Sequence, residues 1–470
     1  MNVRSRFAPS PTGFLHVGGI RTALFAWALA KQADGTFILR IEDTDKARQV
    51  EGSIEHIIES LKWLGIEWQE GPDIGGEHGP YLQSERLEIY RQWAQKLIDK
   101  GLAYVDPYSS EELDSFRREA QSQKQPFLYR SYRPKEIEVP DDWYGRLPLR
   151  FKTPVIKRFE WLDEVRGSLS AGEEALDDFV LIKADGYPTY NFAHVLDDYL
   201  MKISHVIRGE EFISSMPKFL SLMDALEIEH PKFVTAPPIL NPNGGKKLSK
   251  RDGAKDILDY RDEGYLPAAV ANFLMSLGWN DGTDNEIYAL DEFIERFSVE
   301  RMQKSGAKFD PSKLDWINWQ HIMRLIEESR YDAVRELIGN DAAGDELIKL
   351  AATKANSLEA LEEQVRPANF QGVFLDELLN RAAKDVGIDT SQASAFIEAA
   401  ISSLEDSSFD QNTVEQQLRG RMQDLNAKPR QFLGLIRWIV SQKKVSPSLF
   451  ELIAVLGREE TLKRLRAVLD

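Results

Sequence analysis

Residues 1–45 read MNVRSRFAPSPTGFLHVGGIRTALFAWALAKQADGTFILRIEDTD, and their periodicities decide the fold class. Val3, Ser5 and Phe7 alternate with Arg4 and Arg6, a period of two that marks a short strand. The pattern breaks at Pro9-Ser-Pro11-Thr-Gly13. A helix-like run from Ile20 to Lys31 follows Gly18-Gly19 and stops at the turn Asp34-Gly35. Thr36 to Ile41 is rich in β-formers and reads as the next strand. Strand, glycine-rich turn, helix, strand is the opening of a parallel α/β sheet.

Working outward, Ile54, Ile57, Ile58, Leu61 and Leu64 recur at helical spacing between Ser53 and Gly65. A second amphipathic helix runs from Ser84 through Leu87, Tyr90, Ala94 and Leu97 to Gly101. Residues 106–178 mix proline, glutamine and short strand-like pieces, and are expected to be an insertion into the sheet domain. Val180-Leu-Ile182 and Ile203 to Ile207 are expected to be strands returning to the sheet. After residue 250 the pattern is almost wholly helical, with turn signals at 278–282 and 309–311. The C-terminal third lacks strand runs and reads as one or two helical bundles. No fixed-period repeat or low-complexity tract interrupts this order.

The 470 residues are too many for one core, and 42% apolar with 29% charged residues fits folded domains rather than disorder. No stretch reaches the roughly 20 apolar residues that span a bilayer, and the start lacks an apolar leader core. A cytoplasmic location is therefore expected. With no cysteine, disulfides, thiolate nucleophiles and cysteine-based metal sites are excluded. Lysine and arginine number 59 against 76 acids, a net charge of −17 that argues against nonspecific nucleic-acid binding. A local basic face remains compatible with such a partner.

Three constellations carry chemistry. His16-Val-Gly-Gly19 stands where the first strand gives way to a helix, so its glycines and the helix N-terminus suit a phosphate. Lys246-Lys-Leu-Ser-Lys-Arg251 follows Asn243-Gly-Gly245; there Lys250 and Arg251 could neutralise polyphosphate charge. Arg6, Glu42, Tyr190 and Arg208 are expected at the carboxyl ends of parallel strands, where open α/β sheets bind ligands. Two arginines and a carboxylate converging there suit a ligand with two carboxylates and an ammonium.

In order along the chain come Arg6-Phe-Ala-Pro-Ser-Pro-Thr-Gly13, His16-Val-Gly-Gly19, Arg40-Ile-Glu-Asp-Thr-Asp45, Asp185-Gly-Tyr-Pro-Thr-Tyr190, Arg208-Gly-Glu-Glu211 and Lys247-Leu-Ser-Lys-Arg251. This series resembles the bacterial-type glutamyl-tRNA synthetases, class I aminoacyl-tRNA synthetases. The resemblance covers essentially the whole chain and is strongest before about residue 320. It implies an α/β class with a Rossmann-type parallel-sheet catalytic domain, an α+β insertion and all-α C-terminal domains. The implied organisation is 1–81 and 186–240 for the catalytic halves, and 82–185 for an insertion that holds the acceptor end. Residues 241–325 would be a loop and stem-contact domain, and 326–470 an anticodon-binding region.

The resemblance also implies roles. His16, Gly18, Gly19, Glu211, Leu240, Lys247, Ser249, Lys250 and Arg251 would contact ATP, with His16 and Lys250 catalytic. Arg6, Ser10, Glu42, Tyr190 and Arg208 would bind glutamate, and His194 is read as structural. The implied reaction is glutamyl-adenylate formation followed by transfer to tRNA(Glu), with Mg2+ accompanying ATP and no metal cage in the protein. Some relatives bind zinc through cysteines in the insertion; here that region reads Asp106-Pro-Tyr108 and Tyr132, so no zinc is expected. Lys157-Arg158, Arg117-Arg118, Lys246-Lys247 and Lys443-Lys444 are candidate RNA contacts. A monomer with no membrane contact is implied. The alternatives are a relaxed enzyme that also charges tRNA(Gln) with glutamate, or a catalytically silent tRNA-binding regulator.

Overall fold

Strand β1 (Arg4–Phe7) and strand β2 (Thr36–Leu39) pair in parallel, Arg4 against Thr36 through Phe7 against Leu39. The crossover is helix α1 (Val17–Gln32), whose Ile20, Ala23, Leu24, Phe25, Ala26 and Ala28 are fully buried. A helix apolar on most of its surface belongs inside a domain. This is a computed structural model describing residues 2–135, 139–248, 255–341, 343–366, 375–443 and 446–469. The chain divides into two compact units, Met1–Leu314 and Asp315–Asp470.

Within the first unit follow α2 (Ser53–Trp63), α3 (Leu87–Asp99), β3 (Ala103–Val105), α4 (Ser110–Ser122) and β4 (Leu149–Phe151). Next come β5 (Phe159–Asp163), β6 (Gly167–Ala171), β7 (Val180–Ile182), α5 (Tyr190–Leu200), β8 (His205–Gly209), α6 (Met216–Leu226) and β9 (Lys232–Ala236). The unit continues with β10 (Ile239–Leu240), α7 (Ile257–Asp262), α8 (Pro267–Ser276), α9 (Leu290–Arg296) and β11 (Ala307–Lys308). Strands β8 and β9 are parallel, and β1 lies beside β8: the Ser204 N–H donates to Arg4 O at 2.9 Å, and the Arg4 N–H to Ser204 Oγ at 2.8 Å. From β1 the chain crosses to β2 on one side, and from β8 to β9 on the other. That reversal leaves a crevice beyond the carboxyl ends of β1 and β8, where sheets of this kind take ligands.

Two expectations change. Val180–Ile182 does not return to the parallel sheet; β7 is the edge of an antiparallel sheet in the order β3-β4-β7. A three-residue apolar run carries no information about its partner, whereas the Gly186 turn, at φ +84°, folds Pro188 back onto Ile182. The strands that do join the parallel sheet come from inside the expected insertion, giving the order β6-β5-β9-β8. Asp163 locks that junction: its Oδ2 accepts from Thr235 Oγ1 on β9 at 2.5 Å, and its Oδ1 from the Val165 and Arg166 N–H groups. The stretch after residue 250 also holds one short strand, β11, parallel to β10.

Helix α10 (Pro311–Glu327) precedes α11 (Tyr331–Ile338), α12 (Asp345–Ala352), α13 (Leu358–Val365), α14 (Leu375–Val386), α15 (Thr390–Leu404), α16 (Gln411–Asp424), α17 (Pro429–Ser441) and α18 (Leu449–Arg466). From Asp315 on, the described residues form no strand. Ile397, Leu404, Leu418, Phe432, Ile436 and Ile453 are fully buried at the centre of this second unit. Among the described residues, no helix is long and apolar enough to cross a membrane.

Candidate active site

A cavity of about 410 Å³ opens at the crevice between β1 and β8. It brings together Arg6, Ser10, Glu42, Tyr190 and Arg208 at one end, and His16, Gly18, Gly19, Glu211 and Lys247 at the other. Leu240 does not line it: its neighbour Ile239 does, while the Leu240 carbonyl accepts from the Phe309 N–H at 3.0 Å. Ser249, Lys250 and Arg251 lie outside the described residues.

The first end is a dry ion-pair chain. Arg6 grips Asp198 with two bonds, Nε to Oδ1 at 2.9 Å and Nη2 to Oδ2 at 3.2 Å, and its Nη1 donates to Ile207 O at 3.2 Å. Arg40, wholly buried, bridges Asp198 Oδ1 at 2.8 Å and Glu42 Oε1 at 2.9 Å. Burial pushes the Glu42 carboxyl up to about 7, although Arg40 and Arg6 pull it down. Burial also opposes ionisation of Asp198, but the adjacent Arg6 and Arg40 outweigh it and hold that carboxyl below the usual range.

Arg208 is different. Its guanidinium lies over the rings of Phe219, Phe212 and Phe233 at 5.1, 5.5 and 5.5 Å, and no carboxylate of the described residues ion-pairs with it. At this end Arg6, Arg40 and Arg208 thus face Asp198 and Glu42, which leaves the Arg208 charge for a ligand to meet, while Arg21, also buried and lining the cavity, donates to the Leu277 and Pro237 carbonyls. Tyr190 is not at the carboxyl end of a parallel strand as expected; it is the first residue of α5, delivered by the turn after β7. His194, one helical turn on, stacks on Tyr190 at 4.3 Å and 13°. Its Nδ1–H donates to the Tyr190 carbonyl at 2.7 Å, and burial lowers its pKa to about 3, so the ring is neutral.

The second end is made from backbone and exposed charge. His16 caps α1, and its Nδ1 accepts from the Gly18 N–H at 3.1 Å, which assigns the proton of the neutral ring to Nε2. A Cβ at Gly19 would come within 2.9 Å of Leu15 Cδ1, the movable end of a side chain, so glycine fits there without displacing Leu15. Val17, Gly18 and Gly19 line the cavity at the start of a sixteen-residue helix, where N–H groups and the helix dipole favour anions. Lys247 comes from the hairpin whose Leu240 and Lys247 are bridged, and its Nζ meets Glu211 Oε2 at 3.1 Å with both side chains at least half exposed.

Sequence reasoning missed the roles of Arg40 and Asp198. A signal exists: Asp197-Asp198 puts two adjacent acids into a largely apolar helix, seven and eight residues after Tyr190. In the insertion, Asp106 accepts from Tyr129 OH at 2.6 Å and Arg150 Nε at 2.6 Å, and Tyr132 stacks on Phe116 at 4.5 Å. Among the described residues no three metal-binding side chains cluster. Of the candidate RNA contacts, Arg117 pairs with Asp114 at 2.6 Å and Lys157 with Asp224 at 3.7 Å, both exposed; Lys444 lies outside the described residues.

A parallel sheet whose crevice holds a helix N-terminus at one end and buried, paired charges at the other has the layout of an α/β ligand-binding domain. Residues 2–316 match the family described as "tRNA synthetases class I (E and Q), catalytic domain", and residues 319–469 match "Anticodon binding domain". The chain is 40% identical to a glutamate–tRNA ligase of Clostridium tetani, over 99% of this chain and 96% of that protein. It is 39% identical to glutamate–tRNA ligase 1 of Syntrophomonas wolfei, over 100% and 96%. A crystal structure of a glutamate tRNA ligase from Elizabethkingia meningosepticum, in complex with its amino acid, is similar at TM-score 0.85 and 31% identity, covering 100% of this chain and 99% of that one. The chain belongs to the class I tRNA synthetase family of the E and Q type.

Proposed function

We propose that the protein is a glutamate–tRNA ligase, activating L-glutamate with ATP and transferring it to the 3′ end of tRNA(Glu). The observation that carries this reading is the Arg208 charge, which no carboxylate compensates among Arg6, Arg40, Asp198 and Glu42 at that end of the cavity. Glutamate, with two carboxylates and one ammonium, has net charge −1 and supplies the balance. Arg208, the arginine without a carboxylate partner, takes one ligand carboxylate; Arg6 offers donors to the other, and ionised Glu42 holds the ammonium. Glutamine would present an amide NH₂ to a guanidinium, donor against donor, and such mispairing supports discrimination of about 10⁴-fold.

In the first step a carboxylate oxygen of glutamate forms a bond to the α-phosphorus of ATP, and the bond to the pyrophosphate oxygen breaks. A terminal ribose hydroxyl of tRNA then attacks the activated carbonyl and AMP departs. No enzyme nucleophile is needed, and the protein contributes positioning and charge. His16, the α1 N-terminus, Lys247 and, from the sequence, Lys250 and Arg251 face the phosphates, with Gly18, Gly19, Glu211 and Ser249 given to the same nucleotide site and Leu240, outside the cavity lining, given to it from the sequence alone. Mg2+ bound to ATP neutralises phosphate charge. Residues 82–185 are assigned to the acceptor end and 326–470 to the anticodon, in a cytoplasmic monomer. The test is aminoacylation with labelled glutamate on purified tRNA(Glu) and tRNA(Gln), with glutamine as competitor. Labelled tRNA(Glu) is expected; no charging of either tRNA overturns the reading.

A further inference from the structure

Helix α5 carries two consecutive buried acids, Asp197 and Asp198. Successive helical residues point about 100° apart, so the two carboxylates serve different neighbours. Asp197 accepts from Gln83 Nε2 at 2.9 Å, Arg86 Nε at 2.8 Å and Tyr90 OH at 2.7 Å, none of which lines the cavity. Among the described residues the Asp198 carboxylate accepts only from Arg6, which lines the recess, and from Arg40 behind it, and Arg40 hands the connection on to Glu42. Asp198 itself does not line the cavity.

We infer that Asp198 is a positioning residue for glutamate recognition, holding Arg6 and, through Arg40, Glu42 in place before the ligand arrives. This rests on the proposed function and assigns the determinant behind its specificity. The donor count supports it. A guanidinium has five N–H groups; Arg6 commits three to Asp198 and Ile207 O, which orients the remaining two. The charge count agrees. Without the Asp198 charge, Arg6, Arg40 and Arg208 would face Glu42 alone, and the recess would no longer complement a ligand of charge −1. With Asp198 in place, binding meets a prearranged array and has little to reorganise.

The test measures glutamate and ATP dissociation constants by calorimetry on the full chain, alongside thermal unfolding, for wild type, Asp198→Asn and Asp197→Asn. Asp198→Asn is expected to weaken glutamate binding tenfold or more and leave ATP binding within twofold. Asp197→Asn, equally buried, is expected to lower Tm and leave both dissociation constants within twofold. Should Asp198→Asn fail to fold, Arg40→Lys, whose single ammonium cannot fork between Asp198 and Glu42, is expected to weaken glutamate binding at least fivefold without changing ATP binding. Glutamate binding within twofold of wild type, a parallel loss of ATP binding, or a wild type that does not bind glutamate overturns the inference. A chain that binds glutamate in this Asp198-dependent way but charges no tRNA sinks only the proposed function.

Discussion

The two ends of one cavity are built by opposite means. At the proposed amino-acid end the charges are buried, Arg6 and Arg40 paired with Asp198 and Arg40 with Glu42, while Arg208 lies over three aromatic rings without a carboxylate partner. At the proposed nucleotide end stand the α1 N-terminus and the half-exposed Lys247–Glu211 pair. A small ligand distinguished from its amide only by charge demands dry, fixed partners, because mispairing is costly only where water cannot repair it. A polyphosphate is highly charged and must leave as pyrophosphate. Weaker, solvated contacts serve it better.

If that contrast holds, damage at the dry end is the larger. Arg208→Ala should lower kcat/KM for glutamate by about 10³-fold, since truncating one partner of a buried charge pair costs about 2–5 kcal/mol. Steady-state aminoacylation checks this, and a loss below tenfold would place the ligand carboxylate elsewhere. Lys250→Ala should slow adenylate formation by about 10²-fold or more, the scale of one lost transition-state contact. Rapid-quench kinetics with tRNA present should show this with glutamate affinity unchanged.

The third prediction sharpens the contrast through pH. Glu42 must be ionised to hold an ammonium, and its pKa is raised by burial to about 7. The kcat/KM for glutamate should therefore fall as pH drops through about 7, approaching tenfold per unit, and Glu42→Gln should flatten that limb. Stability runs the other way. Between about 7 and the usual carboxylate value the folded chain holds a proton that the unfolded chain lacks, so the Glu42 contribution to stability rises as pH falls. Comparing Tm of wild type and Glu42→Gln across that window reads the sign. The smallest effect belongs to the exposed end. Lys247→Ala should change stability by no more than about 0.5 kcal/mol, as exposed ion pairs contribute little, visible as a nearly unchanged Tm.

The first 45 residues carried the parallel β1–α1–β2 unit, because alternation, a glycine turn and a helix-long apolar run are local signals. The helices at 53–63 and 87–99 and the helical C-terminal unit were legible for the same reason. Strand partnership was not. Val180–Ile182 is a short apolar run and Phe159–Asp163 a short alternating one, and only the chain's path through Gly186 and the Asp163–Thr235 contact assigned each to its sheet.

The sequence by itself determined the family and picked out Arg6, His16, Glu42, Tyr190 and Arg208, which line one cavity. Those residues sit in fixed order beside turns and strand ends, where local chemistry can be read. Tertiary structure alone decided how they act as a set. It left Arg208 without a carboxylate, neutralised Arg6 and Arg40 with Asp198 some 158 to 192 positions away, raised Glu42 and kept His194 neutral. Charge state and pairing depend on burial and on distances of about 3 Å, and neither quantity exists until the sheet brings β1, β2, α5 and β8 together.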